Sequence, residues 1–117
     1  MSATTESLAA EACQACRPGS PRISAAEAAD LLGALPGWEV VEAGGMDVLT
    51  ATFTFDTFRA ALEFANRVGD LADAADHHPE LVVEWGRARV RWWTHTIGGL
   101  HRNDFIMAAR TSAAAVA

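Results

Sequence analysis

Apolar residues alternate with threonines between Met46 and Phe55. Leu49, Ala51, Phe53 and Phe55 fall on one side and Thr50, Thr52 and Thr54 on the other. A period of two predicts a half-buried strand. Trp38 to Glu42 forms a second apolar run, and Gly44-Gly45 between the two predicts a hairpin turn. After Asp56 and Thr57, either able to cap a helix, the period changes. Phe58, Ala61, Leu62, Ala65, Val68, Ala72 and Ala75 recur at helical spacing, so one face is buried for about five turns. Pro79 ends this segment, and His78 before it is biased away from helical angles. Leu81 to Trp85 and Ala88 to Thr94 predict another strand pair around Gly86-Arg87. Ser24-Ala25-Ala26-Glu27 is a capping-box pattern that opens a helix to about Leu35, stopped by Pro36-Gly37. A last helix starts near Asn103 and fades into alanine-rich sequence. The order α-β-β-α-β-β-α predicts the α+β class: a four-stranded antiparallel sheet with three helices packed on one face. The opposite face is expected to carry Arg89, Arg91 and Trp93, and so small a sheet is expected to extend by edge pairing with a second subunit.

Residues 1–22 are expected to form a loosely ordered leader closed by Arg17-Pro18-Gly19-Ser20-Pro21, with residues 23–117 as one domain. The leader holds the lone Cys13-x-x-Cys16 pair. A zinc ribbon needs a second pair, and a thioredoxin-like site needs a preceding strand and a following helix, so an inert leader is the expectation. At 117 residues the chain has room for one core. Its formal charge is −6, with nine arginines and no lysine, a poor balance for general nucleic-acid binding. No stretch approaches the roughly 20 apolar residues of a membrane span, and no secretory signal is visible. The expectation is a cytoplasmic protein with no nucleic-acid or membrane partner.

The candidate chemistry sits between Asp73 and Asp104, a window that holds all four histidines. Asp73 and His77 are four apart and share a helix face if the helix reaches His77. A carboxylate there fixes an imidazole tautomer and raises its basicity. His77 and His78, His95 and Asp104 all fall at predicted element ends, where a rigid element positions a side chain and a loop exposes it. Each residue also has a local structural use, as a helix-terminal cation, a surface group after a strand or a first-turn acid. A metal site needs three converging ligands, which these residues could supply, but adjacent histidines tend to point apart and no HExxH spacing is present. A metal-free acid–base site accounts best for so many proton-moving groups in one window. One protonated and one unprotonated group of near-neutral pKa suit removal of water from a substrate.

Asp73, His77-His78-Pro79, Trp85, Thr94-His95 and Asp104 together resemble the signature of the pterin-4a-carbinolamine dehydratases. That signature is an acidic residue, three residues, His-His-Pro, an aromatic, Thr-His, then Asp. His95 follows His78 by seventeen residues and Asp104 follows His95 by nine, as in the family. Gly37-Trp38 resembles the family's early Gly-Trp. The resemblance covers roughly residues 20–112. The run from Gly99 to Arg110, and even the cysteine leader, look like bacterial members associated with phenylalanine hydroxylase. The resemblance implies conversion of 4a-hydroxytetrahydropterin to quinonoid dihydropterin and water, with no cofactor and no metal. It implies a homo-oligomer, a dimer or a dimer of dimers, and a functional tie to phenylalanine hydroxylase. Among the residues, it implies catalytic His77, His78, His95 and Asp104, with His77 and His95 as the acid–base pair and His78 binding and polarising. It implies substrate contacts from Asp73, Asp76, Trp93, Thr94 and Leu81. Asp73 is one methylene shorter than the glutamate often found there, and Leu81 stands where animal members carry tryptophan. The family also implies an alternative, a non-catalytic module that serves as a transcription factor's dimerisation cofactor or as a rubisco assembly factor.

Overall fold

The computed structural model describes residues 4–13 and 20–116. Its elements are α1 (Thr5–Ala9), α2 (Ala25–Leu32), β1 (Glu39–Ala43), β2 (Met46–Thr54), α3 (Phe58–Ala75), β3 (Glu80–Glu84), β4 (Arg87–Trp92), a 3₁₀ turn (His95–Ile97) and α4 (Arg102–Ala115). The strands form one sheet in the order β1-β2-β4-β3, with every neighbouring pair antiparallel. From α2 onward this is the expected α+β order.

The caps and turns are those the sequence spells. Thr57 Oγ1 accepts from the Ala60 amide at 3.0 Å, and Ser24 Oγ accepts from the Glu27 amide at 3.1 Å. Gly44 and Gly45 have φ of 61° and 82° between the paired residues Ala43 and Met46. Two consecutive positive φ values suit the twist of a two-residue hairpin, which a Cβ would oppose. On β2 and β4 the residues Leu49, Ala51, Ala88, Val90 and Trp92 are buried beneath the helices. α3 lies on β3 and β4, and α4 on β2 and β4. Arg89 and Arg91 take the opposite face, where both pair with Glu80.

Several boundaries differ from expectation. The first predicted helix stops at Leu32 rather than Leu35. Gly33, Ala34 and Leu35 instead make i→i−3 bonds of 3.2, 3.0 and 3.0 Å, a tightening forced by Pro36. Trp38 precedes β1, and its Nε1–H donates to Ser112 Oγ on α4 at 2.8 Å. Trp85 lies at the β3–β4 turn and is 73% exposed.

Part of the expected loose leader is ordered. α1 is short, but Thr4 and Ser7 cap it reciprocally, and Leu8 inserts into the core with no exposed surface. α1 packs chiefly on α4. Burial of one leucine side chain is worth roughly 2 kcal/mol, enough to hold a helix too short to persist alone. Cys13 packs against the core, whereas Cys16 lies outside the described residues. Among the described residues no helix is long and apolar enough to cross a membrane.

Candidate active site

α3 does not reach His77. It ends at Ala75, and Asp76 takes the left-handed conformation with φ of 51°. The His77 amide donates back to Ala72 O at 3.1 Å and the Asp76 amide to Asp73 O at 3.3 Å. These two bonds make a Schellman closure. Aspartate tolerates this conformation better than most residues, though at roughly 1 kcal/mol or more relative to glycine. The closure turns His77 off the helix face it was expected to share with Asp73.

The turn delivers His77 to α4. His77 Nε2 donates to Asp104 Oδ1 at 2.6 Å, and the Asp104 side chain is fully buried while His77 is 13% exposed. Asp104 Oδ2 accepts from the Thr94 hydroxyl at 2.8 Å and from the His101 backbone amide at 2.9 Å. Three donors converge on one carboxylate, which offsets the cost of burying it. The His77 ring lies on Trp92, 17° from parallel with centroids 5.5 Å apart. Trp92 is itself fixed by its Nε1–H donating to Thr111 Oγ1 at 3.1 Å. The imidazole is thus held at one edge and on one face. Nε2 is turned to Asp104, which leaves Nδ1 as the ring nitrogen outside that bond.

The other candidates take different positions. Asp73 pairs with His78 rather than His77, Nε2 to Oδ1 at 3.0 Å, with both side chains more than half exposed. Asp76 is exposed at the helix end. His95 is exposed in the 3₁₀ turn with its ring against Trp93, centroids 4.7 Å apart. Thr94, expected beside the pterin, directs its hydroxyl at Asp104 and is buried. Leu81 is partly buried and packs against the core. Hydrogen bonds therefore join His77, Asp104, Thr94 and His101. His78 and His95 adjoin that group along the chain, each next to one of its members.

Two contributors were not singled out from sequence. His101 caps α4, its Nδ1 accepting from the Asn103 amide at 3.1 Å. Trp92 supplies the surface beneath His77. The only sequence signal for the first was a polar residue three before Asp104 in a capping-box arrangement, with histidine in an unusual cap role. Among the described residues no group of three His, Cys, Asp or Glu side chains is placed to hold a metal ion. A cavity of about 400 Å³ between α2 and the β1–β2 turn, lined by Arg22, Ala28, Leu32, Met46 and Gly98 among others, includes none of the four histidines.

The family model for pterin 4 alpha carbinolamine dehydratase matches residues 21–114. A putative pterin-4-alpha-carbinolamine dehydratase of Chlorobium limicola is 58% identical over 100 residues, covering 86% of this chain and 88% of that one. Putative pterin-4-alpha-carbinolamine dehydratase 1 of Gloeobacter violaceus is 51% identical over 108 residues, covering 92% and 93%. Among solved structures, the transcriptional coactivator/pterin dehydratase from Brucella melitensis aligns with a TM-score of 0.74 at 32% identity, covering 81% of this chain and 99% of that one.

Proposed function

The chain belongs to the pterin-4a-carbinolamine dehydratase family, and from that premise we propose that it removes water from a 4a-hydroxytetrahydropterin by histidine acid–base catalysis. Loss of the N5 proton and departure of the 4a-hydroxyl with an added proton yield the quinonoid dihydropterin and one water. Both transfers are proton transfers at near-neutral pH, for which imidazoles are suited. His77 and His95 divide the acid and base roles. Asp104 holds the His77 tautomer and stabilises the ring when it carries two protons, as the buried aspartate of a catalytic triad does. His78 binds and polarises the substrate. Asp73 and Asp76 meet its polar edge, with Trp93, Thr94 and Leu81 bounding the site.

The observation that carries this reading is the 2.6 Å bond from His77 to a buried carboxylate with two further donors. Such a carboxylate fixes the imidazole's orientation and tautomer, as acid–base work requires. The proposal extends to the setting: a cytoplasmic enzyme that serves an aromatic amino acid hydroxylase, phenylalanine hydroxylase above all. It also extends to assembly. β1 and β3 are the sheet's edges, and pairing of an edge with a second copy forms a dimer, which can pair again.

The test is the breakdown of pre-formed 4a-hydroxytetrahydropterin with and without the protein. Catalysed loss at a rate proportional to protein is expected. A rate equal to the spontaneous one would overturn the proposal in favour of a non-catalytic binding module. Sedimentation at micromolar concentration tests the assembly, and a monomer alone would refute it.

A further inference from the structure

The arm that precedes α2 lies N-terminal to the span matched by the family model, 21–114. It nevertheless grips the helix that carries Asp104. Arg102 is the first residue of α4, two positions before Asp104. Its Nε and Nη2 donate to the two carboxylate oxygens of Glu11, each at 2.8 Å. Its Nη1 reaches Glu27 on α2 at 3.0 Å. Further along α4, Arg110 donates to the backbone carbonyls of Ala9, at 3.0 Å, and of Glu11. Leu8 anchors the arm in the core beneath.

We propose that Glu11 and Arg102 are positioning residues for the dehydration, holding the first turn of α4 where Asp104 can grip His77. The inference rests on the acid–base role given to His77 above. A guanidinium and a carboxylate joined by two parallel bonds fix direction as well as distance. The bond they serve is short, and displacements near 1 Å at a working site cost up to ~10²-fold in rate. The pair is part-exposed, and such pairs add little to global stability. Its consequence should therefore appear in geometry at Asp104 more than in the melting temperature. Hydrogen bonding from Arg102 also holds the Glu11 carboxyl below its ordinary pKa, so the contact persists at neutral pH.

The test compares Glu11→Gln, Arg102→Lys and, as a control on the exposed side of α1, Glu6→Gln. Two readouts are used: kcat and KM on pre-formed 4a-hydroxytetrahydropterin, and the NMR resonance of the His77 Nε2 proton shared with Asp104. In Glu11→Gln, kcat should fall roughly 3–10-fold with KM little changed, within the ~10²-fold that a displacement near 1 Å can cost. The His77 proton should move upfield. Arg102→Lys keeps the charge but loses the fork, so it should show a smaller fall and the same direction of shift. It carries the test if Glu11→Gln fails to fold. Glu6→Gln should match wild type in both readouts. Variants of Glu11 and Arg102 with wild-type kcat and an unmoved resonance would overturn the inference, whatever their melting temperatures. A resonance that moves while the rate stays constant would leave the arm holding Asp104 but overturn its role in the dehydration, and a folded His77→Ala protein at the wild-type rate would place the failure in the acid–base reading instead.

Discussion

His77 and His78 are neighbours, and each directs Nε2 at an aspartate Oδ1, yet the two couples are physically different. The first is 2.6 Å long with a fully buried carboxylate; the second is 3.0 Å long with side chains 54% and 83% exposed. Water screens the outer pair, and holding two free side chains together costs entropy, so such a couple adds little stability and exchanges readily. The inner pair is held by Trp92 below and by two further donors on Asp104. Identical functional groups therefore suit different work. In the proposed mechanism the inner couple serves the proton transfer, and the outer one, exposed and loosely held, exchanges its partner for substrate.

The largest expected effects fall on the inner couple. Asp104→Asn keeps the volume but removes the charge and the tautomer control, and should lower kcat by roughly 10²–10⁴-fold in stopped-flow assays. Activity near wild type in that variant would remove the distinction between the couples. Equilibrium denaturation sharpens it further. Asp104→Ala leaves buried donors without a partner and should cost about 3–5 kcal/mol, whereas Asp73→Ala should stay within about 0.5 kcal/mol. Equal losses would show that burial does not separate the pairs. His78→Ala should raise KM more than it lowers kcat, the signature of lost binding.

Much of this was legible in the sequence because it is local. The threonine alternation of β2, the Thr57 cap, the Gly44-Gly45 turn and the helical spacing to Ala75 each depend on a few neighbouring residues. His77, Thr94 and Asp104, which hydrogen bonds bring together, lie in the window read from the sequence, but their pairing was not legible there. The spacing of Asp73 and His77 points to a couple only if the helix continues, and the left-handed Asp76 breaks that premise. Of the three donors on Asp104, the His101 amide follows from capping-box spacing, but His77 and Thr94 come from distant segments that no spacing announces. α1 escaped notice because its five residues carry a single large apolar side chain, and tertiary burial of Leu8 decides its fate.

The smallest expected effect concerns a third carboxylate, Glu11, intermediate in exposure between Asp104 and Asp73. Arg102 lowers its pKa in the folded state, so its contribution to stability is present above the ordinary carboxylate value. That contribution is lost as pH falls through the lowered one. Denaturation midpoints of wild type and Glu11→Gln should therefore differ slightly at neutral pH and converge as pH falls from the ordinary glutamate value through the lowered one. A difference that grows toward acid would contradict the assignment.

The comparison is decided most directly by stopped-flow rates of His77→Ala and His78→Ala on pre-formed 4a-hydroxytetrahydropterin, with circular dichroism to confirm both folds. The expected result is a His77→Ala protein slowed by roughly 10²–10⁴-fold beside a His78→Ala protein that keeps most of its saturated rate. A folded His77→Ala protein turning over at the wild-type rate would contradict the account.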